Sequence, residues 1–331
     1  MLHYLKHHEI DYAEWDWCLE ASPNAIIYGF TWYLDIVAPG WQAIVKKEGE
    51  KYLAIMPIPV FQKFGVNIVR QPIFAQQLGV FHAQPLTPAE WQEFGCLLYQ
   101  NFKVISSYEF NTGNIELVQD GLPNFETASF STYHLDLKRG YPAIVSGYRK
   151  DRRWRINQAK RVGLTARPST NIDLIIHIFD QHIAQKIYGV IGEAYEYKML
   201  RQLYAAASKR GLVSMHEAVN ARQEVVAMIM LFHYNQKLIY IFNSSTPEGK
   251  KTNAISFLVD HILQTYADQD LVYDFEAPEV GPISDFYRSF GSEPAYFLSV
   301  KANNLPAPLK WIQKLRAKAY QLLRAKPETG N

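Results

Sequence analysis

The chain has 331 residues, 48% hydrophobic and 20% charged, with a formal net charge of +2 at pH 7. That balance describes a folded protein long enough for two domains. It excludes a disordered chain and any global electrostatic pull toward nucleic acid, so a basic site must be local. Cys18 and Cys96 are too few for a disulfide framework and lack metal-ligand spacing, so buried thiols and no metal are expected. The opening MLHYLKHHEIDYAEWD has no apolar core of a signal peptide, and no apolar run approaches a membrane span. A cytoplasmic protein is expected.

In chain order, residues 11–20 predict a short helix and Ser22-Pro23-Asn24 a turn. Ala25 to Val37 fits helix or strand equally. Trp41–Lys47 and Lys51–Pro57 flank Glu48-Gly49-Glu50, a hairpin signal, with short strands near 58–61 and 66–70. Pro88 to Phe102 predicts a helix, and strands near 106–110 and 130–137 close this half. His7 and His8 are expected in a mobile N-terminus.

A second unit starts near Tyr141. GYRKDRRWRINQAKRVGL (147–164) predicts one basic helix ending at Gly163, with a narrow apolar seam at Ile156 and Ala159. A strand at Leu164–Arg167 and helices near 171–187 and 194–209 follow. Three strands then run in series, Val213–Val219, Val225–Phe232 and Leu238–Asn243, before a helix over Thr252–Tyr266. A strand ending in Asp274-Phe275-Glu276, a Pro/Gly turn, a helix carrying Phe286-Tyr287, Gly291 and a closing strand come next. LKWIQKLRAKAYQLLRAK (309–326) predicts a basic helix with a stripe of Trp311, Leu315, Leu322 and Leu323. Such a stripe packs on its own protein more often than it lies on an anionic membrane, and packing is the preferred reading.

The order from Val213 to Val300 resembles the GNAT acyltransferase superfamily, and the fuller resemblance is to the Fem-type (peptidoglycan interpeptide-bridge) aminoacyltransferases. It is carried by the basic helix KDRRWRINQAKRVGL (150–164), by the meander running into SSTPEGKKTNAISFLVDHIL (244–263), and by DFYRSFGS (285–292). The resemblance implies an α/β (α+β) chain of two tandem GNAT-like domains with mixed, mainly antiparallel sheets flanked by helices. The implied division is a degenerate first domain at 1–140, a better-formed second at 141–302, and a basic tail at 303–331. Where related enzymes carry a Gly-rich pyrophosphate loop, this chain offers Gly249, Lys250, Lys251, Thr252 and Asn253. Charge and helix dipole remain there to hold a phosphate, while side chains at the glycine positions narrow the approach.

Acyl transfer to an amine requires a base, because an amine of pKa about 10.4 must lose a proton before attack. Glu276, at the end of a buried strand, is the expected base, with Glu279 as alternative; the bland reading is a turn cap or an ion pair. Tyr287 resembles the tyrosine that protonates the leaving group, against a plain aromatic packed on the sheet. Asn243, Ser244 and Ser245 mark the expected oxyanion and donor site by analogy with the family. Arg149, Arg152, Arg153 and Arg155 are expected to bind anionic groups, since arginines contact phosphate bidentately; the alternative is a solvated, ion-paired face. The resemblance implies acyl-CoA or aminoacyl-tRNA as donor and a small-molecule or cell-wall-precursor-like amine as acceptor in the interdomain cleft, with tRNA a possible partner. The rivals are a coenzyme A-dependent N-acyltransferase on a small metabolite and a non-catalytic binding protein that keeps the fold.

Overall fold

The computed structural model describes residues 1–63, 65–118, 122–183, 194–277 and 281–311. The first half opens with β1 (Leu2–Leu5), α1 (Tyr12–Glu20) and α2 (Thr31–Val37), then the hairpin β2 (Gln42–Glu48) and β3 (Lys51–Ile58). Short strands β4 (Val60–Lys63), β5 (Val66–Val69) and β6 (Phe81–His82) precede α3 (Pro88–Asn101). β7 (Val104–Glu109) and the long β8 (Glu126–Asp136) complete it. Local chemistry sets these starts. Asp11 caps α1 by accepting from the N–H groups of Ala13 and Glu14, and Thr87 and Glu90 form a reciprocal capping box at α3 beside Pro88.

The second half runs α4 (Tyr141–Ser146), α5 (Lys150–Arg161), β9 (Thr165–Ser169), α6 (Ile172–His182) and α7 (Ala194–Ser208). The meander β10 (Val213–Val219), β11 (Val225–Tyr234) and β12 (Lys237–Ser245) follows. Then come α8 (Pro247–Lys251), α9 (Ala254–Thr265), β13 (Val272–Asp274), α10 (Gly281–Arg288) and β14 (Glu293–Asn303).

Two sheets result. The smaller, β1-β2-β3-β6, is antiparallel throughout. The larger has ten strands in the order β4-β5-β7-β14-β8-β13-β12-β11-β10-β9. Only the β5–β7 and β12–β13 neighbours in it are parallel, so the sheet is mixed and mainly antiparallel, as expected. It draws strands from both halves: β14 lies between β7 and β8, and β13 lies between β8 and β12. Apolar side chains gather in two cores, one on each face of this sheet. One holds Phe74, Phe179, Ile241 and Phe242. The other holds Ile156 of α5, Leu258 of α9, Tyr240, Phe275 and Tyr287.

Two expectations change. The N-terminus is not mobile: β1 pairs with β2, and the His7 ring nitrogen Nδ1 lies 3.0 Å from the Trp41 carbonyl oxygen. The basic helix begins only at Lys150, as α5, after a separate short α4, because Gly147 lies against Gly291 and the Arg149 N–H turns to the Ser289 carbonyl. Gly291 has φ +76, and a Cβ there would meet the Gly147 carbonyl oxygen at 2.9 Å, so the crossing requires a glycine. The helix expected over Thr252–Tyr266 is α9, entered through Asn253 at a left-handed φ of 59° after the short α8. Beyond residue 311 the expected C-terminal helix lies outside the described residues, and so does Glu279. Among the described residues no helix is long and apolar enough to cross a membrane.

Candidate active site

The site forms where β12 and β13 part. They pair in parallel only from Lys237↔Val272 to Ile239↔Asp274, after which β12 continues alone to Ser245. A bulge interrupts the β11 pairing there: Met230 faces Phe242 and Leu231 faces Tyr240, leaving Ile241 as the extra residue. The irregular backbone of β12 therefore sits at Ile241, just before the expected Asn243–Ser245. Two clefts open beside this unpaired end, one toward each core.

The first cleft, about 390 Å³, lies between α5, α8–α9 and α10. It brings together two groups of predicted residues: Arg149, Arg152 and Arg155 from the basic helix, and Ser245, Gly249, Lys250 and Asn253 from the donor stretch. Four cations face two carboxylates, Asp151 and Asp285. Asp151 lies 3.4 Å from Arg149 and 3.9 Å from Arg155, and Arg155 donates to the Asn253 side chain at 3.2 Å. Arg152 is buried, donates to the Ser289 and Ser256 hydroxyls, and stacks over Phe286 and Phe290. Burial lowers its pKa to about 10, which leaves it charged at neutral pH.

Other predicted residues fall elsewhere. Arg153 is exposed and faces a separate hollow, where buried Asp260 accepts from Tyr141, Tyr148 and Lys160. Asn243 pairs with Ile229 in the sheet, Ser244 is buried in β12, and Lys251 is exposed. Thr252 turns its hydroxyl back to the Glu248 carbonyl. Gly249 does not form an open phosphate loop. It sits in α8, where a Cβ would meet the Val226 carbonyl oxygen at 2.1 Å, so its role is close packing on β11. The backbone N–H groups of Gly249, Lys250, Thr252 and Asn253 all donate within this turn.

The second cleft, about 470 Å³, opens toward the other core and joins the two halves of the chain. Phe74, Gln76 and Glu109 line it from the first half, and Ile241, Phe242, Glu276 and Phe297 from the second. Glu276 adopts a left-handed φ of 46°, a strained conformation for a side chain of this size, held by its N–H donating to Asp274 Oδ1 at 3.0 Å. Its Oε1 accepts from the Tyr28 hydroxyl at 2.6 Å. Burial raises the Glu276 carboxyl to about 8, against the opposing hydrogen bond from Tyr28. Two residues earlier, Asp274 behaves oppositely. Burial pushes it up, but His134 at 3.1 Å and the Thr132 hydroxyl hold it at about 2. One carboxylate is thus fixed as an anion while its neighbour titrates near neutrality, the divergence that defines acid–base roles.

Tyr287 lines neither cleft. It is buried against Phe275, with ring centroids 4.8 Å apart, and against Tyr240 at 5.9 Å, beneath the β12–β13 opening. Burial, followed by the Glu276 charge, raises its pKa. The sequence reading missed Tyr28, Asp274 as a fixed anion, and Glu109. Only Asp274 left a signal, the D-x-E spacing at the end of the strand.

A parted parallel strand pair with a cationic cleft on one side and a half-buried carboxyl on the other is an arrangement compatible with acyl transfer. In agreement, residues 146–287 match the family described as Acetyltransferase (GNAT) domain. In fold the whole chain is similar to Fem-type and tandem GNAT proteins. FemX covers 92% of this chain and 98% of its own at a TM-score of 0.61 and 11% identity. L-PGS from Bacillus licheniformis covers 92% and 96% at a TM-score of 0.57 and 12% identity. A tandem GNAT protein from the clavulanic acid biosynthesis pathway covers 93% and 100% at a TM-score of 0.53 and 12% identity. No curated protein matches the sequence significantly.

Proposed function

We propose that the chain transfers an acyl or aminoacyl group from a phosphate-bearing donor, seated in the cationic cleft, to an amine bound in the aromatic cleft. The observation that carries this reading is the Glu276 carboxyl, half-buried in the aromatic cleft beside Tyr28, with a pKa raised to about 8. A carboxylate of that basicity accepts a proton from an amine far better than an ordinary glutamate does. The amine nitrogen bonds to the acyl carbon, and the bond from that carbon to the carrier oxygen or sulfur breaks. The amine's proton passes to Glu276 and then to the departing oxygen or sulfur, which restores the base.

Two donors meet the anionic requirement, aminoacyl-tRNA and acyl-coenzyme A. The first is favoured because the backbone N–H groups of Gly249, Lys250, Thr252 and Asn253 are engaged within their own turn, which leaves more of the phosphate recognition to cationic side chains. Recognition then falls to Arg149, Arg155 and Lys250 on an open surface, which suits a large polyanion. The carboxyl groups and aromatic rings of the other cleft favour a small-molecule amine over a cell-wall precursor bearing phosphates.

Equilibrium titration with aminoacyl-tRNA and with acetyl- and long-chain acyl-coenzyme A tests the donor site. Replacing Arg149 and Arg155 together by Ala should weaken the bound donor about tenfold or more, with a shallower salt dependence. Absence of binding by every donor, or indifference to the double replacement, would refute the assignment of this cleft.

A further inference from the structure

We infer that the acceptor is a dibasic amine, an apolar body bearing a second ammonium group that Glu109 anchors away from the reacting nitrogen. This inference rests on the reading of the aromatic cleft as the acceptor site.

Glu109 is the last residue of β7, and its side chain reaches the aromatic cleft from the first half of the chain. It is only 9% exposed, and its Oε2 has no hydrogen-bond partner. Gln71 accepts from its backbone N–H at 3.0 Å; burial raises the carboxyl's pKa, opposed by Ser299, its partner across the β7–β14 pair, and by Lys301, with no hydrogen bond to Oε2. A buried carboxylate oxygen with nothing to accept from is costly, and more so when charged. Glu276, by contrast, accepts from Tyr28. The cleft thus presents one carboxyl already committed and another waiting for a donor.

The rest of the lining fixes the class of ligand. Among the described residues no lysine, arginine or histidine lines this cleft, so an anionic group would meet two carboxyls there. Phe74, Phe130, Phe242 and Phe297 supply rings that shelter methylene groups and attract cations at their faces. An ammonium at Oε2 would satisfy the unpartnered oxygen with a charge-assisted hydrogen bond. The two clefts are sorted by sign, with cations for the donor and acids for the acceptor, which prevents either substrate from occupying the other's seat.

The test is a titration of wild-type protein with cadaverine, n-pentylamine and mono-N-acetylcadaverine, read by ligand-observed NMR and calorimetry. The diamine should bind about tenfold or more tightly than either mono-cation, the scale expected for one buried charged hydrogen bond. In Glu109→Gln, which keeps the shape and removes the charge, that preference should collapse to near unity. Equal affinity for all three ligands in the wild-type protein overturns the dibasic inference while leaving the acceptor site standing. Preference for the diamine that survives Glu109→Gln overturns the role of Glu109. Failure of every amine to bind overturns both the inference and the acceptor reading beneath it. The wild-type series needs no variant, so a poorly folding Glu109→Gln does not spare the inference.

Discussion

At the scale of single residues, the proposed chemistry turns on two carboxyls two positions apart with opposite pKa shifts. Asp274 is held ionised by His134 and Thr132, and its Oδ1 fixes the turn that points Glu276 into the cleft. Glu276 must be ionised to act as a base, and its folded-state pKa is about 8. Turnover should therefore rise with pH through about 8 and level off above it. Glu276→Gln should lower kcat by about 10²–10⁴ and abolish that limb. Tyr28→Phe removes the hydrogen bond that lowers the Glu276 pKa, so the limb should move to higher pH; an unmoved limb would dissociate it from Glu276. In the same assay Tyr287→Phe should lose less than about tenfold, because that phenol faces neither cleft. A loss as large as that of Glu276→Gln would return it to the role of leaving-group acid.

At the scale of elements, α8 shows how packing replaced what a Gly-rich loop would supply. Gly249 brings the helix against the Val226 carbonyl, and this seating presents Lys250 to the cationic cleft. Gly249→Ala should force α8 away from β11, at a cost of about 1–3 kcal/mol in urea denaturation, and should weaken the donor. An unchanged midpoint would show that α8 has room to spare. The order of elements in the second half was legible because strand alternation, helix periodicity and caps such as Thr246 are local signals. Their boundaries were less so. Nothing local in GYRKDRRWRINQAKRVGL reveals that Gly147 must meet Gly291, so the helix was expected to start at Gly147 rather than at Lys150. Strand β1 read as a frayed end because its value lies in pairing with β2, some 40 residues onward.

At the scale of the whole molecule, the site belongs to neither half alone. Glu276 takes its hydrogen bond from Tyr28, 248 residues earlier, and no sequence pattern marks so distant a pair. The basic helix and the donor stretch were each legible from composition, but their convergence on one cleft depended on α5 packing over α9, which is tertiary information. Residues 141–331 expressed as a fragment would lack β7 and β8, baring both edges of β14 and one edge of β13. That fragment should aggregate or remain partly unfolded, and a cooperative melting transition from it would show that the second half is self-sufficient. Strand β14 carries one more consequence. It fills the middle of the large sheet from residues 293–303, between strands that leave the ribosome far earlier. The growing chain must hold β7 and β8 apart, edges unfilled, until translation has nearly reached residue 303. Synthesis thus passes through a long interval in which the nascent protein is most open to chaperones and to misassembly, and the two halves mature together at its close.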